Sequence, residues 1–410
     1  MKRINLAAVL ILLVLASCQK NTEVPYELKF YGDTREDIGY SVAIATDGYI
    51  IAGQMEVISR QNGYIDESKS NKELCVLKTD WDGNLVWQAV AGDAGADMGS
   101  KVYQLSDGSM ICVGTYTDTV SNASRDWKKQ IFIVKITKDG SVLWKKTYGG
   151  ADNQTGKDIV ESTGGFLVLG TTDAFSGPVT DSTGNPKGKT DLYILKLNSN
   201  GDSLDSYQRG YPVNETPAGI KKDIDGRFII LGTTEMSLKN SGMAGSNFFA
   251  IKLNSTGDVI DSRIIGTTED EYASAVEILN DGYLVAGTVG SAVASKQGYV
   301  VKLKRDIHSD PFFSQKFKIS NYPTSISSLC KYQGSTYVAA GYVYVNPGLR
   351  MVVTEIDESG NPVSGASLIH GSVGDQAVND VAAGDDGYVI AVGRNTYEVN
   401  SMISFLKFKF

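Results

Sequence analysis

Tyr49-Ile50-Ile51-Ala52-Gly53 is one of seven copies of a short pattern, an apolar run usually opened by an aromatic residue and ended by glycine. The seven glycines are Gly53, Gly114, Gly170, Gly232, Gly287, Gly341 and Gly393. Successive copies are separated by 61, 56, 62, 55, 54 and 52 residues, so a single kind of unit fills the chain. Repetition at this period indicates a repeat architecture rather than two or three unrelated domains.

Each unit has the pattern of four short strands and no helical periodicity. In the first unit the strands are predicted at residues 41–45, 49–53, 74–78 and 85–90. The first two are joined by Asp47-Gly48, a strong signal for a two-residue hairpin. Four antiparallel strands per unit, repeated seven times, predict an all-β fold, a seven-bladed β-propeller with one blade per unit.

The register of the units supports this prediction. A glycine opens each unit 16 residues before the first hairpin glycine in six of the seven copies, and only the sixth departs, with Lys318 before Gly334. The opening glycines are Gly32, Gly92, Gly149, Gly210, Gly266 and Gly371.

The two ends of the chain predict how the ring closes. The last unit stops after its third strand, at residues 405–410, while residues 26–31 precede the first complete unit. Phe30-Tyr31-Gly32 matches Thr147-Tyr148-Gly149 at the end of a fourth strand. We therefore expect the N-terminal strand to complete the seventh blade, which removes two open sheet edges.

The first residues have the features of an export signal. Lys2 and Arg3 precede an apolar run over residues 6–15, which is shorter than the roughly 20 residues of a membrane-spanning helix. The following Leu15-Ala16-Ser17-Cys18 resembles the bacterial lipobox, which implies that Cys18 is acylated after cleavage and anchors the chain through lipid. An ordinary secretory signal ending in Ser-Cys is the alternative.

These observations divide the chain into a lipoprotein signal peptide (1–17), a lipidated polar tether (18–25) and a propeller (26–410). The tether Gln19-Lys20-Asn21-Thr22-Glu23 is similar to the charged signals of Bacteroidota surface lipoproteins. That resemblance implies an outer-membrane, lipid-anchored protein at the cell surface, and a periplasm-facing position is the alternative.

Composition restricts the partners. The chain has 39 Lys and Arg against 47 Asp and Glu, a net charge of −8, which disfavours nucleic acid and favours cationic or neutral partners. Cys75, Cys112 and Cys330 each lie in an apolar run, which predicts buried thiols rather than a disulfide framework.

A family resemblance can be named from the third unit. The stretch from Trp144 to Gly150, the run from Gly165 to Thr172 and the strand from Leu192 to Leu197 resemble the SBBP-type β-propeller repeat of secreted bacterial proteins. The resemblance extends over nearly the whole mature chain. It implies the fold and export, and that family has no common catalytic residues to carry over.

Two sets of residues are candidates for ligand binding. Five residues after the opening glycines stand acids and amides, which would circle one mouth of the channel or, in the interpretation we favour, bond backbone amides of the blades. They are Asp37, Asp97, Gln154, Glu215, Glu271 and Gln376. The long connections 54–73, 116–130, 172–190 and 234–247 lie between second and third strands, where function often resides. Their aromatic residues Tyr64, Tyr116, Trp127 and Phe175 would stack on a sugar, grip a peptide, or fold back onto their own blade.

No catalytic constellation and no cofactor motif stands out. Asp80-Trp81-Asp82-Gly83-Asn84 begins like a calcium loop, but a strand follows at once, so a β-turn is favoured and no metal site is predicted. We therefore expect a non-enzymatic binding or scaffold module for a glycan, a peptide or a partner protein. The alternative is a carbohydrate-active enzyme that uses loop carboxylates.

Overall fold

The computed structural model describes residues 24–32, 35–61, 64–93, 95–119, 128–173, 190–211, 213–236, 245–397 and 400–410. Its strands are, in chain order, β1 (Tyr26–Tyr31), β2 (Ile38–Ala45), β3 (Gly48–Gln61), β4 (Tyr64–Thr79), β5 (Leu85–Ala91), β6 (Met98–Gln104), β7 (Met110–Asp118), β8 (Lys128–Ile136), β9 (Val142–Tyr148), β10 (Gln154–Ser162), β11 (Gly165–Thr172), β12 (Asp191–Asn198), β13 (Ser203–Arg209), β14 (Glu215–Lys222), β15 (Phe228–Thr234), β16 (Asn247–Leu253), β17 (Val259–Ile265), β18 (Glu271–Ile278), β19 (Gly282–Val289), β20 (Gln297–Lys304), β21 (Phe313–Phe317), β22 (Thr324–Lys331), β23 (Tyr337–Val345), β24 (Gly348–Ile356), β25 (Pro362–His370), β26 (Asp375–Ala383), β27 (Val389–Tyr397) and β28 (Asn400–Phe408).

These strands form seven four-stranded antiparallel sheets in a ring, which confirms the predicted seven-bladed propeller. Blades 1 to 6 take consecutive sets of four strands, from β2–β5 to β22–β25, and the first strand of each blade contacts the first strand of the next. Seven first strands therefore surround the axis. Across the described ranges, no helix is both long and apolar enough to cross a membrane.

The seventh blade joins the two ends of the chain, as predicted. β1 pairs antiparallel with β28, from Tyr26 opposite Phe408 to Tyr31 opposite Ile403. The Tyr31 hydroxyl also donates a hydrogen bond of 2.7 Å to the carbonyl oxygen of Gly83 in blade 1. The N-terminal strand thus completes one blade and contacts its neighbour.

The recurrent strand-ending glycines are explained by a close approach between the first two strands of every blade. A Cβ built on Gly114 would lie 1.8 Å from the Met98 carbonyl oxygen, and one on Gly341 would lie 2.1 Å from that of Ser325. The other five glycines face a first-strand carbonyl oxygen at 1.9 to 2.5 Å. Any side chain at these positions would overlap the neighbouring backbone, so the fold requires glycine there.

The same glycines lie beside a β-bulge that occurs once in each blade. In every blade the second-strand glycine pairs with the residue just before the bulge, as Gly99 pairs with Gly114. Seven residues, one per first strand, are left outside the ladder: Tyr40, Ser100, Lys157, Ala218, Ser274, Ser327 and Asn379. A bulge turns its extra residue away from the regular alternation of the strand. We call these seven residues the bulge ring.

Neighbouring blades dock through fourth-strand aromatic residues. The Trp87 indole Nε1 donates to the Lys138 carbonyl oxygen at 2.9 Å, and the ring lies against Gly140 of the next blade. Trp144 lies in the same way against Gly201. This confirms that the two tryptophans pack between blades.

The first long connection differs from the prediction. The sequence indicates a loop over residues 54–73, but β3 continues to Gln61 and β4 begins at Tyr64, with Met55 opposite Glu73 and further pairs beyond. The sequence Asn62-Gly63 between the two strands is a favoured signal for a two-residue hairpin, so the sequence could have predicted an extended hairpin there.

Candidate functional site

The bulge ring divides the axial channel into two compartments. A cavity of about 870 Å³, here called the axial mouth, opens where first strands begin and second strands end. A cavity of about 440 Å³, the inner channel, lies on the other side of the bulge ring. All seven bulge residues line both cavities, so they form the boundary between them.

Residues that carry hydroxyl groups are the commonest members of the lining of the axial mouth. Twenty-five residues from all seven blades surround it, among them ten serines and threonines, three tyrosines and three lysines. Met98, Ile326 and Pro217 are its larger aliphatic members. Side chains able to form hydrogen bonds therefore reach the cavity from every blade, among the apolar groups that are usual in binding pockets.

No carboxylate lines the axial mouth among the described residues, and its lysines are not paired. Lys129, Lys157 and Lys296 lie in blades 2, 3 and 5. Of these three ammonium groups, that of Lys296 alone has a hydrogen-bonding or ring contact with the described residues, since it lies 3.4 Å from Tyr342 Oη and faces the Tyr342 ring. Burial lowers the pKa of Lys157, an effect that Asp158 opposes and Lys101 reinforces.

The inner channel is also charged, but its charges are compensated. Lys101 Nζ lies 2.7 Å from Asp380 Oδ2, and Lys221 Nζ lies 3.4 Å from Glu277 Oε1. Burial alone would raise the pKa of Asp380, but Lys101 and hydrogen bonds to the carboxylate hold it below its ordinary value. These ion pairs tie together first strands of different blades.

The predicted ring of acids and amides lies behind the wall of the mouth. Asp37, Asp97, Glu215 and Glu271 are each at most 1 % exposed. Asp97 Oδ1 accepts the Thr117 backbone N–H at 2.7 Å, and its Oδ2 accepts that of Asp93 at 3.0 Å.

The other members of the set are bonded in the same region of their blades. Asp37 accepts the Glu56 N–H at 2.8 Å, and Glu271 accepts the Thr267 N–H at 3.0 Å. Glu215 accepts a hydrogen bond from the Thr234 hydroxyl at 2.9 Å. These bonds fasten the opening loops, and contact of these residues with a ligand stays a prediction.

The opening glycines are explained by the same side chains. A Cβ on Gly92 would lie 2.3 Å from Asp97 Oδ2, and one on Gly371 would lie 2.3 Å from Gln376 Oε1. The glycine and the polar residue five positions later therefore form one local motif.

Two junctions between blades hold a second carboxyl group beside this motif. Glu73 lies against Gly92 together with Asp97, and burial with the nearby Asp97 charge raises the pKa of Glu73 to about 7. At the next such junction, burial is the largest cause that raises the pKa of Glu215 to about 8, and Asp191 adds to it. Two carboxyl groups in contact hold a proton more tightly than an isolated one.

The predicted aromatic residues are only partly described. Tyr116 is half-buried on β7, where its ring packs 5.5 Å from that of Phe132 and its hydroxyl reaches Asp93 at 3.3 Å. It thus folds back onto its own blade. Tyr64 begins β4 with its side chain outside the described set, while Trp127 and Phe175 lie outside the described residues. Their binding roles stay predictions.

The turn that resembles a calcium loop is held by its own hydrogen bonds. Asp80 Oδ1 accepts the backbone N–H groups of Asp82 and Asn84 at 2.9 and 2.8 Å. Within the described ranges, no group of three or more His, Cys, Asp or Glu side chains is placed to hold a metal ion. The β-turn accounts for this sequence.

The lining lysines are the feature that sequence reasoning missed. Lys157 stands eight residues after the opening glycine Gly149, and Tyr40 and Ser100 stand eight residues after Gly32 and Gly92. This offset recurs in six units, so it would have identified the bulge ring. Lys129 and Lys296 also share an offset, since each lies three residues before the third-strand residue that pairs with the strand-ending glycine.

Comparison with known proteins supports the fold. No protein-family model matches the chain, and no curated protein matches it by sequence. Among solved structures, Raptor from Chaetomium thermophilum superposes with a TM-score of 0.53 at 9% identity over 92% of this chain. This chain spans 29% of the length of Raptor. The polysaccharide lyase Uly1 superposes with a TM-score of 0.51 at 10% identity over 92% of this chain and 91% of its own. Such likenesses show the propeller fold alone.

Proposed function

We propose that this chain is a non-enzymatic binding or scaffold propeller, held at the outer surface of a bacterial outer membrane through lipid on Cys18. The lipobox-like Leu15-Ala16-Ser17-Cys18 supports the anchor, and the likeness to SBBP-type repeats supports export. The ligand is a glycan, a peptide or a partner protein, bound at the axial mouth.

One observation carries the choice of site: all seven blades contribute to an open cavity of about 870 Å³ that is lined by side chains able to form hydrogen bonds. This volume is in the range of ordinary ligand sites, about 300–1,000 Å³. The second-to-third-strand connections leave the blades at the same end, because β3 and its equivalents run toward it. Tyr64 at the start of β4, and Trp127 and Phe175 in those connections, are candidates for additional contacts.

A carboxylate-dependent hydrolase receives no support from the described residues. Such enzymes place two carboxyl groups about 5 to 10 Å apart beside the substrate. The axial mouth presents none, while Asp380 and Glu277 in the inner channel are engaged by lysines.

The test is to block the mouth. Ala218 belongs to the bulge ring, so Ala218→Trp would place an indole in the aperture. Ser199 is an exposed residue in a turn at the opposite end, which makes Ser199→Trp the matched control. Glycan and peptide arrays are probed in detergent with the full-length wild type and with each variant. The signal should be lost with Ala218→Trp and kept with Ser199→Trp. Equal signals from both variants and the wild type would place the site elsewhere.

A further inference from the structure

The charge of the axial mouth is opposite to that of the whole chain. Acidic residues outnumber basic ones by 47 to 39 in the sequence, so about one residue in nine is Asp or Glu. Among the described residues, the 25 that line the mouth include three lysines and neither Asp nor Glu. In an acidic protein, this described part of the lining is a local reversal of charge.

The lysines of the mouth also differ from those just below it. Lys101 and Lys221 in the inner channel each face a carboxylate within 4 Å. Within the described part of the chain, no carboxylate lies that close to the ammonium groups of Lys129 or Lys157. Their positive charge is therefore available to a ligand.

The position of Lys157 strengthens the attraction between its ammonium group and an anionic ligand. Its side chain is open to the channel, but protein surrounds it closely enough for burial to lower its pKa. Removal of a cation from bulk water costs free energy, which an anion in contact with it recovers. An anionic group at the bulge ring would provide that contact.

The other lining residues indicate which class of compound carries the anionic groups. Six of the ten serine and threonine hydroxyl groups hydrogen-bond within the wall, while those of Ser100, Thr115, Thr216 and Ser327, with the amides of Gln54 and Asn379, offer donors and acceptors to a ligand. The Tyr272 ring is 38 % exposed at the mouth, where it offers a flat surface with a polar tip. This combination suits a compound rich in hydroxyl groups better than the apolar side chains of a peptide.

We infer that the axial mouth binds an acidic saccharide, a sugar chain that carries carboxylate or sulfate groups, with its anionic groups near Lys157 and Lys129. This inference rests on the proposed function and specifies the ligand class of the same site. In the inner channel below, Lys101 and Lys221 are already paired with Asp380 and Glu277, so they offer less charge to an anionic ligand than the lysines of the mouth. Lysine acts as a point charge without bidentate geometry, so either anionic substituent satisfies it.

The experiment is calorimetric titration of the full-length chain in detergent with four probes. They are a galacturonic acid tetramer, a sulfated galactose tetramer, the neutral galactose tetramer and a tetra-aspartate peptide. We expect one or both acidic sugars to bind, with affinity that falls as sodium chloride rises, and the neutral sugar to bind at least about tenfold more weakly. The stronger of the two acidic sugars identifies the substituent.

Charge-removing variants locate the contact. Lys157→Gln and Lys129→Gln should each weaken binding of the acidic sugar about tenfold, as expected for loss of a charge-assisted hydrogen bond. Lys138→Gln is the matched control, since Lys138 is exposed in a turn at the opposite end. Equal melting temperatures of the three variants would show that folding is intact.

Several outcomes overturn the inference. Equal affinity for the acidic and neutral sugars would do so, as would tighter binding of the peptide, or insensitivity to both lysine variants. If the neutral sugar or the peptide binds and Ala218→Trp prevents it, the charge inference fails while the proposed function stands. If Ala218→Trp affects none of the probes and no array signal, both fail.

Discussion

The carboxyl groups of Asp191 and Glu215 meet at the junction between the third and fourth blades. Both lie against the Cα of Gly210, where a Cβ would be 1.9 Å from Asp191 Oδ1 and 2.7 Å from Glu215 Oε2. Asp191 is 7 % exposed and Glu215 is 1 % exposed. A buried pair of this kind favours a retained proton, which makes the stability of the junction depend on pH.

Glu215→Gln should therefore change the pH dependence of stability. The fold raises the pKa of Glu215 to about 8, so it favours the protonated form. The stability from this group is fully present below the ordinary glutamate pKa of about 4.3 and is lost as pH rises toward the folded value. Relative to wild type, the variant should gain thermal stability between about pH 5 and about pH 8.5.

Glu161→Gln is the control for this measurement, because Glu161 is exposed on β10. Its melting temperature should follow that of wild type across the same range. A pH-independent difference between Glu215→Gln and wild type would contradict a proton held at the junction.

Gly341→Ala should destabilise the sixth blade. The new Cβ would lie 2.1 Å from the Ser325 carbonyl oxygen, so the first two strands must separate. We expect a loss of about 2 kcal/mol or more in urea unfolding, as for other overpacked interiors. Gly150→Ala is the matched control, since no atom lies within 4 Å of a Cβ added at Gly150. Similar losses for the two variants would show that the close approach is unimportant.

Deletion of residues 24–32 should open the ring. It removes β1 and leaves one edge of β28 without a partner, while the other edge stays paired with β27. We expect a large drop in melting temperature or aggregation. Tyr31→Phe is a graded variant that removes only the hydrogen bond to Gly83, worth about 1 kcal/mol. Phe30 is 40 % exposed, so Phe30→Ala should lower the melting temperature less than the deletion does. An unchanged melting temperature after the deletion would refute closure by β1.

Cys18→Ser should release the chain from membranes. The substitution removes the thiol that the lipobox-like sequence assigns to lipid, and several acyl chains together anchor a protein stably. Detergent phase partitioning measures the change, with Cys330→Ser as a control for loss of a thiol elsewhere. If Cys18→Ser partitions with the membrane as wild type does, the lipoprotein hypothesis is wrong.

The blades were predictable because their strongest signals are local. Gly114 and its equivalents recur because two backbones approach each other in every blade, so the constraint leaves a mark at one position per unit. β1 begins and ends at the predicted residues, Tyr26 and Tyr31, because its C-terminal residues repeat those of another fourth strand. In contrast, the sixth unit lacks the opening glycine and needed the second-strand glycine for its alignment.

The axial mouth was less predictable because its residues are distant in sequence. Lys129, Lys157 and Lys296 belong to three blades, and although Lys129 and Lys296 occupy equivalent positions near the start of a third strand, Lys157 comes from a first strand. The bulges add a further difficulty, since one extra residue reverses the alternation along each first strand. The net charge of −8 indicates cationic or neutral partners, yet it averages over a surface whose central cavity has the opposite sign.

The composition of the seventh blade has a consequence for the order of assembly. Blades 1 to 6 draw their strands from consecutive segments, whereas Tyr31 and its partner Ile403 are 372 positions apart. During synthesis, six blades can therefore form in sequence while β1 remains unpaired, because its partner β28 is the last of these strands to be made. For that interval the chain is an open arc with an unpaired strand at its leading end. Chaperone capture is most needed at that stage, and it ends only when the C-terminal strand arrives.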